Sequence, residues 1–219
     1  MASIFTTIFS TLGTIAGICL VLPQILKMRR NRTAAGVSLG GLVASFFSWY
    51  LWVPYPMADG DLRGVLGLAV PGAIQGVAVY YAWRYKASRG DMITPVLMLT
   101  VVGGAFAIGG WALYMTALGT TTIWAYAPSL VSAIRSTDIS GISTGAWWVT
   151  VGYGFSWLAF GLLSRAGGFI YTGSMNAGLS LLVLGALYMR RDRRPVSVLS
   201  IRPNETAVVE PALATAGAR

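Results

Sequence analysis

Residues 22–38, LPQILKMRRNRTAAGVS, and residues 127–143, APSLVSAIRSTDISGIS, lie 105 positions apart and read alike. Each has a proline second in the stretch, then a run ending in basic or polar residues. Gly36-Val37-Ser38 follows Pro23, and Gly141-Ile142-Ser143 follows Pro128, both at a distance of thirteen. The same offset pairs Arg30 with Arg135, Gly40 with Gly145, Trp52 with Trp157 and Tyr55 with Phe160. Several pairs at one offset mark an internal repeat, and a repeat changes the whole fold reading.

Outward from these stretches the chain is apolar. With 55% apolar and 11% charged side chains over 219 residues, it is too hydrophobic for a soluble domain of this size. A bilayer-spanning backbone must satisfy its own hydrogen bonds as helices or closed barrels, and the strict alternation of a barrel strand is absent. The pattern predicts an all-α integral membrane protein with seven transmembrane helices: Ile4–Leu26, Val37–Pro54, Leu62–Arg84, Met92–Met115, Thr120–Ile134, Ser143–Leu163 and Phe169–Met189. The offset lays helices 1, 2 and 3 on helices 5, 6 and 7 and leaves helix 4 over. Three helices per unit is odd, so a second unit joined directly would be inverted. One extra crossing restores parallel orientation, which makes helix 4 an inversion linker in a 3+1+3 layout. The expected parts are a first three-helix repeat over 4–89, the linker at 92–115, a second repeat over 120–189 and a disordered basic tail from Arg190 to Arg219.

The net charge of +9 sits in clusters between apolar runs, so it speaks for topology rather than for nucleic acid. Lys27, Arg29, Arg30 and Arg32 follow helix 1. Arg84, Lys86 and Arg89 follow helix 3, Arg135 follows helix 5, and Arg190, Arg191, Arg193 and Arg194 follow helix 7. The opposite loops hold only Arg63 and Arg165. The positive-inside rule then places the chain in a cell membrane with its N-terminus outside and its C-terminus in the cytosol. Cys19 has no partner cysteine, and the absence of His and of any metal-ligand spacing leads us to expect no metal and no cofactor.

The Pro23-Gln24 motif, the basic loop and Ala35-Gly36-Val37-Ser38, with Ala127-Pro128-Ser129 and 135–143 as a second copy, resemble the PQ-loop motif of the SWEET, SemiSWEET and PQ-loop transporter superfamily. The resemblance covers about residues 10 to 190. It implies the 3+1+3 fold, solute transport, and a hinge role for Pro23, Gln24, Pro128 and Ser129. Plant-type members also carry prolines early in helices 2 and 6; this chain has none from Val37 to Trp52 or from Ser143 to Trp157.

A proline inside a helix removes one donor and clashes with the carbonyl four residues earlier, so kinks are expected at both Pro23 and Pro128. Trp52 and Trp157 suit either interfacial anchoring or stacking on a sugar ring, and Trp49, Trp147 and Trp148 compete for that role. Asn176, an amide in mid-membrane, either joins helices or faces a wet pocket; the resemblance implies that it binds solute. Its mate is Pro71 rather than Asn, and Gln75, one turn further along the same face, is expected to replace it. The acids Asp59, Asp61, Asp91, Asp138, Asp192, Glu205 and Glu210 all fall in loops or the tail. Lacking a membrane-embedded titratable group, the chain reads as a facilitative uniporter for a neutral solute such as a mono- or disaccharide. The rivals are a PQ-loop amino-acid carrier and a non-transporting cargo receptor or assembly factor. An enzyme is not expected, because no nucleophile and base can be assembled. Membrane lipids are the other expected partners, and Gly103, Gly104, Gly109 and Gly110 are compatible with homo-oligomer contacts.

Overall fold

The computed structural model describes residues 2–58, 60–89, 91–165 and 167–192. The tail from 193 onward, where disorder was expected, lies outside the described residues. All regular elements among those described are helices: α1 (Ala2–Cys19), α2 (Leu22–Asn31), α3 (Leu39–Trp52), α4 (Pro54–Ala58), α5 (Leu62–Arg84), α6 (Ile93–Gly119), α7 (Thr121–Arg135), α8 (Thr144–Ser164) and α9 (Gly167–Asp192). Five stretches are long and apolar enough to cross a membrane: Ile4–Asn31, Gly64–Arg84, Ile93–Arg135, Thr144–Ser164 and Gly167–Arg190. Their outer faces remain apolar, with Ile108 86% and Leu162 60% exposed. Such faces suit a lipid solvent.

One sequence expectation needs correction. The first helix is not one rod over Ile4–Leu26 but two, because Pro23 cannot donate to the Cys19 carbonyl and the chain turns at Leu20 and Val21 before α2 begins. Pro128, by contrast, sits inside an unbroken α7, so the break is not repeated there. The stretch Ile93–Arg135 holds two helices, α6 and α7, where the sequence placed Met92–Met115 and Thr120–Ile134. Met98 and Ala125 share one buried cluster with Ala44, whereas 27 residues of continuous helix would hold them about 40 Å apart. The chain therefore doubles back between them, and Gly110, at φ 59 and ψ −145, leaves the helical region where only glycine moves freely.

Packing follows the 105 offset. In the first half α5 lies against α1, α2 and α3; in the second, α9 lies against the equivalents α7 and α8. The halves meet through α1 on α8 and α3 on α7, and these two contacts are counterparts of each other. α6 leans mainly on α3 and α7. The closest approach is between α8 and α9. A Cβ on Gly154 would strike the Ala177 backbone, one on Gly173 the Leu158 backbone, and one on Gly161 the backbone of Phe169 and Ile170. Small residues here let two helix backbones touch.

The Gly-x-Ser turns are built the same way twice. Ser38 Oγ accepts from Gly41 N at 2.8 Å and Ser143 Oγ accepts from the mated Ala146 N at 3.3 Å, each capping its helix. A cap of this kind contributes about 1 kcal/mol. The first turn has a carboxylate as a further anchor. Asp91, from the loop before α6, accepts from Ser38 Oγ and from Gly40 N, placing a carboxylate at the N-terminus of α3.

Candidate solute pathway

Where α2, α3, α5, α7 and α8 converge, a chamber of about 70 Å³ lies between the halves. Its wall contains Leu20 and Ala125, Val21 and Tyr126, Gln24 and Ser129, Val37 and Ile142, Gly41 and Ala146, Leu42 and Trp147, Ser45 and Thr150, with Gly36, Ser38 and Gln75 completing it. Every one of those seven pairs is separated by 105 residues. The chamber is therefore centred on the axis that relates the repeats. Its chemistry is not equal on the two sides: the first half supplies Val21 and Leu42 where the second supplies Tyr126 and Trp147.

Ser45, Ala125 and Tyr126 also border a second, larger cavity of about 580 Å³. This one reaches the surface at the end remote from the basic clusters, where exposed Tyr55 and Asp61 stand on its rim. Its volume is that of a pocket for a drug-sized ligand. Trp52 and Trp157, the mated tryptophans, both line it, as do Trp49, Tyr153, Phe160 and Phe169. The rings form a continuous arc. Trp49 meets Tyr153 edge-on at 6.0 Å, Tyr153 meets Trp157 at 6.2 Å, and Trp157 stacks on Phe169 at 5.1 Å. Between the rings stand Ser10, Thr11, Thr14, Ser48, Thr122, Thr172 and Asn176. Trp157 Nε1 and Thr172 Oγ1 are buried without a hydrogen-bond partner.

Neither a protein-family model nor a curated protein matches the chain.

At the basic end the two repeats press on each other through their mated turns. A Cβ on Gly36, at φ +75, would meet Asp138 O at 2.7 Å; one on Gly141 would meet the Ala34 and Ala35 backbone at the same distance. Gly141 N donates to Ala35 O at 3.0 Å. Gln24 grips the opposite turn with both ends of its amide, Nε2 donating to Gly141 O at 2.7 Å and Oε1 accepting from Ser143 N at 2.8 Å. Lys27 Nζ donates to Ile142 O at 2.6 Å and Asn31 Nδ2 to Ser140 O at 3.2 Å. In return Ser132 Oγ donates to Gly36 O at 2.7 Å. These contacts sit under a cluster of buried Ile25, Met28, Ala34, Val37 and Ile142, so the chamber is shut on this side.

The residues singled out from sequence are thus divided between two places. Trp52, Trp157 and Asn176 share the large cavity; Gln24, Ser129 and Gln75 share the chamber. Pro23 and Pro128 line neither. Asn176 and Gln75 are not brought together, because one helical turn carries Gln75 about 6 Å along α5. Gln75 is 2% exposed and donates to Leu42 O at 3.3 Å, while Asn176 donates to Thr172 O at 2.9 Å within its own helix. Among the competing indoles, Trp49 lines the cavity, Trp147 the chamber, and Trp148 is 52% exposed. Sequence reasoning missed Lys27 and Asn31, hidden in a loop read for its charge alone. It also missed Tyr126 at the neck. Their signal was the helical spacing 24, 27, 31.

Proposed function

We propose that the protein is a membrane transporter that moves a small neutral solute, such as a mono- or disaccharide, by alternating access. The seven crossings are grouped 3+1+3, with α1/α2, α3 and α5 as one unit, α7, α8 and α9 as the other, and α6 as the inversion linker. The basic end faces the cytosol, as the distribution of Lys and Arg requires, and the N-terminus lies outside. On this reading the large cavity is the outward vestibule and the chamber is the shut inner half of the pathway.

The observation that carries the proposal is the position of both spaces on the repeat axis, one reaching the surface and the other closed by hydrogen bonds that join the two halves. A structural helix bundle has no need of a wall drawn pairwise from equivalent positions. The vestibule's rings offer apolar faces to sugar C–H groups, and its hydroxyls and the Asn176 amide offer partners for sugar hydroxyls. Among the described residues no Lys or Arg lines it, which disfavours anionic solutes.

A second reading, an amino-acid or other amine carrier, takes the Asp61 carboxylate and the aromatic rings that line the same cavity as a setting for a cationic group. Counterflow in proteoliposomes with labelled sugars and amino acids, with and without a proton gradient, separates the two. Gradient-independent exchange of a sugar is expected. Exchange restricted to cationic amino acids would establish the second reading, and uptake driven by the gradient would refute facilitated passage.

A further inference from the structure

Gln24, Lys27 and Asn31 occupy positions i, i+3 and i+7 of α2 and so share one face. Their mates at the 105 offset are Ser129 and Ser132 on α7 and Ser136, the residue that caps its C-terminus. The first half thus presents three long donors and the second presents three serines. All three long side chains cross to carbonyls of the turn 140–142. Of the serine hydroxyls, Ser132 crosses to Gly36 O, and Ser136 Oγ pairs with Ser132 Oγ at 3.0 Å on its own helix.

A second observation is independent of side-chain chemistry. The helix that carries the long donors is short and set off at its proline: α2 is ten residues, separated from α1 by the turn at Leu20 and Val21, with Pro23 near its start, and it packs on α5 and α8. The helix that carries the serines is continuous through Pro128 and seated on α3 and α9.

We propose that the inner gate is one-sided: α2 is its moving arm, Gln24, Lys27 and Asn31 are the latch on that arm, and the turn 139–143 is the fixed keeper. This rests on the alternating-access reading and assigns its motion to one repeat. Opening swings α2 about Leu20–Val21, giving up Lys27 Nζ to Ile142 O, Asn31 Nδ2 to Ser140 O and both Gln24 bonds, while α7 stays seated. The residues act on solute only through the gate and are positioning residues.

The test uses mated spin-label pairs in full-length protein in nanodiscs, with Cys19 replaced by Ser. Arg30→Cys with Tyr188→Cys reports α2 against the far half; Arg135→Cys with Trp83→Cys is the same measurement on α7 against the other half. All four positions are exposed. Lys27→Met keeps the aliphatic stem and its packing but removes the charged donor, and Asn31→Ser installs the residue found at its mate. Double electron–electron resonance should show a longer-distance population in the 30–188 pair that grows roughly tenfold in Lys27→Met, the factor corresponding to one charge-assisted bond. Asn31→Ser should shift it in the same direction by less. The 83–135 distribution should not move. Growth in both pairs, in neither, or in 83–135 alone overturns the one-sided latch. Because no solute is needed, an opened 30–188 pair in a protein that shows no counterflow would remove the transport reading and leave the latch standing.

Discussion

The amides at positions 75 and 176 show how far a single residue can be read. Both are buried, Asn176 at 4% and Gln75 at 2% exposed, but Asn176 lines the large cavity and Gln75 the chamber beyond Tyr126. They should therefore fail differently. Asn176→Ala is expected to weaken equilibrium solute binding by about five- to tenfold, the worth of one hydrogen bond, as read by tryptophan fluorescence titration. Gln75→Ala is expected to leave that binding within twofold and to slow counterflow instead. Equal losses of binding would return Gln75 to the vestibule. The amide at 176 was legible in the sequence because a mid-membrane amide is costly and conspicuous. The position of its partner was not, because sharing a helix face says nothing about depth along it. Asp91 was illegible for a different reason: its cap on α3 joins residues 53 apart in sequence through a loop with no regular structure.

Elements carried the most information in the chain. The Gly-x-Ser turns, their caps and the proline at the start of α2 are local devices whose geometry follows from residue type, and they recur where the offset puts them. The prolines themselves diverged. Pro23 opens a short helix, where its missing donor costs nothing, while Pro128 is held mid-helix by packing on α3 and α9. Pro23→Ala is accordingly expected to fuse α1 with α2 and slow counterflow at least several-fold, with Pro128→Ala changing it less than twofold. Equal effects of the two substitutions would count against α2 as the moving arm. The α8–α9 seam makes a separate prediction. Gly173→Ala puts a methyl against the Leu158 backbone and should lower stability by about 1–3 kcal/mol, seen as an earlier melt in detergent. Gly178→Ala, on the same helix with open space around it, should melt like the parent.

At the scale of the whole molecule, orientation and tail separate a carrier from a receptor. Cysteines placed at Arg30 and Arg135 should label from the cytosolic side and one at Tyr55 from outside; the reverse pattern would invert the topology. Removing residues after Arg194 should leave counterflow unchanged if the pathway between the halves does the work. A receptor whose tail is the working part would lose its function instead, with vestibule substitutions silent. The all-helical character and the two Gly-x-Ser turns were readable in advance because they are written in residue type and spacing. The unequal gate was not, because basic residues between apolar runs are first explained by topology, and only the hydrogen bonds distinguish Lys27 from its arginine neighbours.

The paired wall of the chamber has a consequence for how such a protein can change. In a half-size ancestor that paired with itself, every wall substitution would appear twice, once on each side of the axis. Two halves in one chain leave the mates independent: Tyr126 and Trp147 are aromatic without forcing rings onto Val21 and Leu42, which line the same space of about 70 Å³. Four rings in that volume would fill it. With both halves in one chain, one side of the chamber can be narrowed while the other keeps its room.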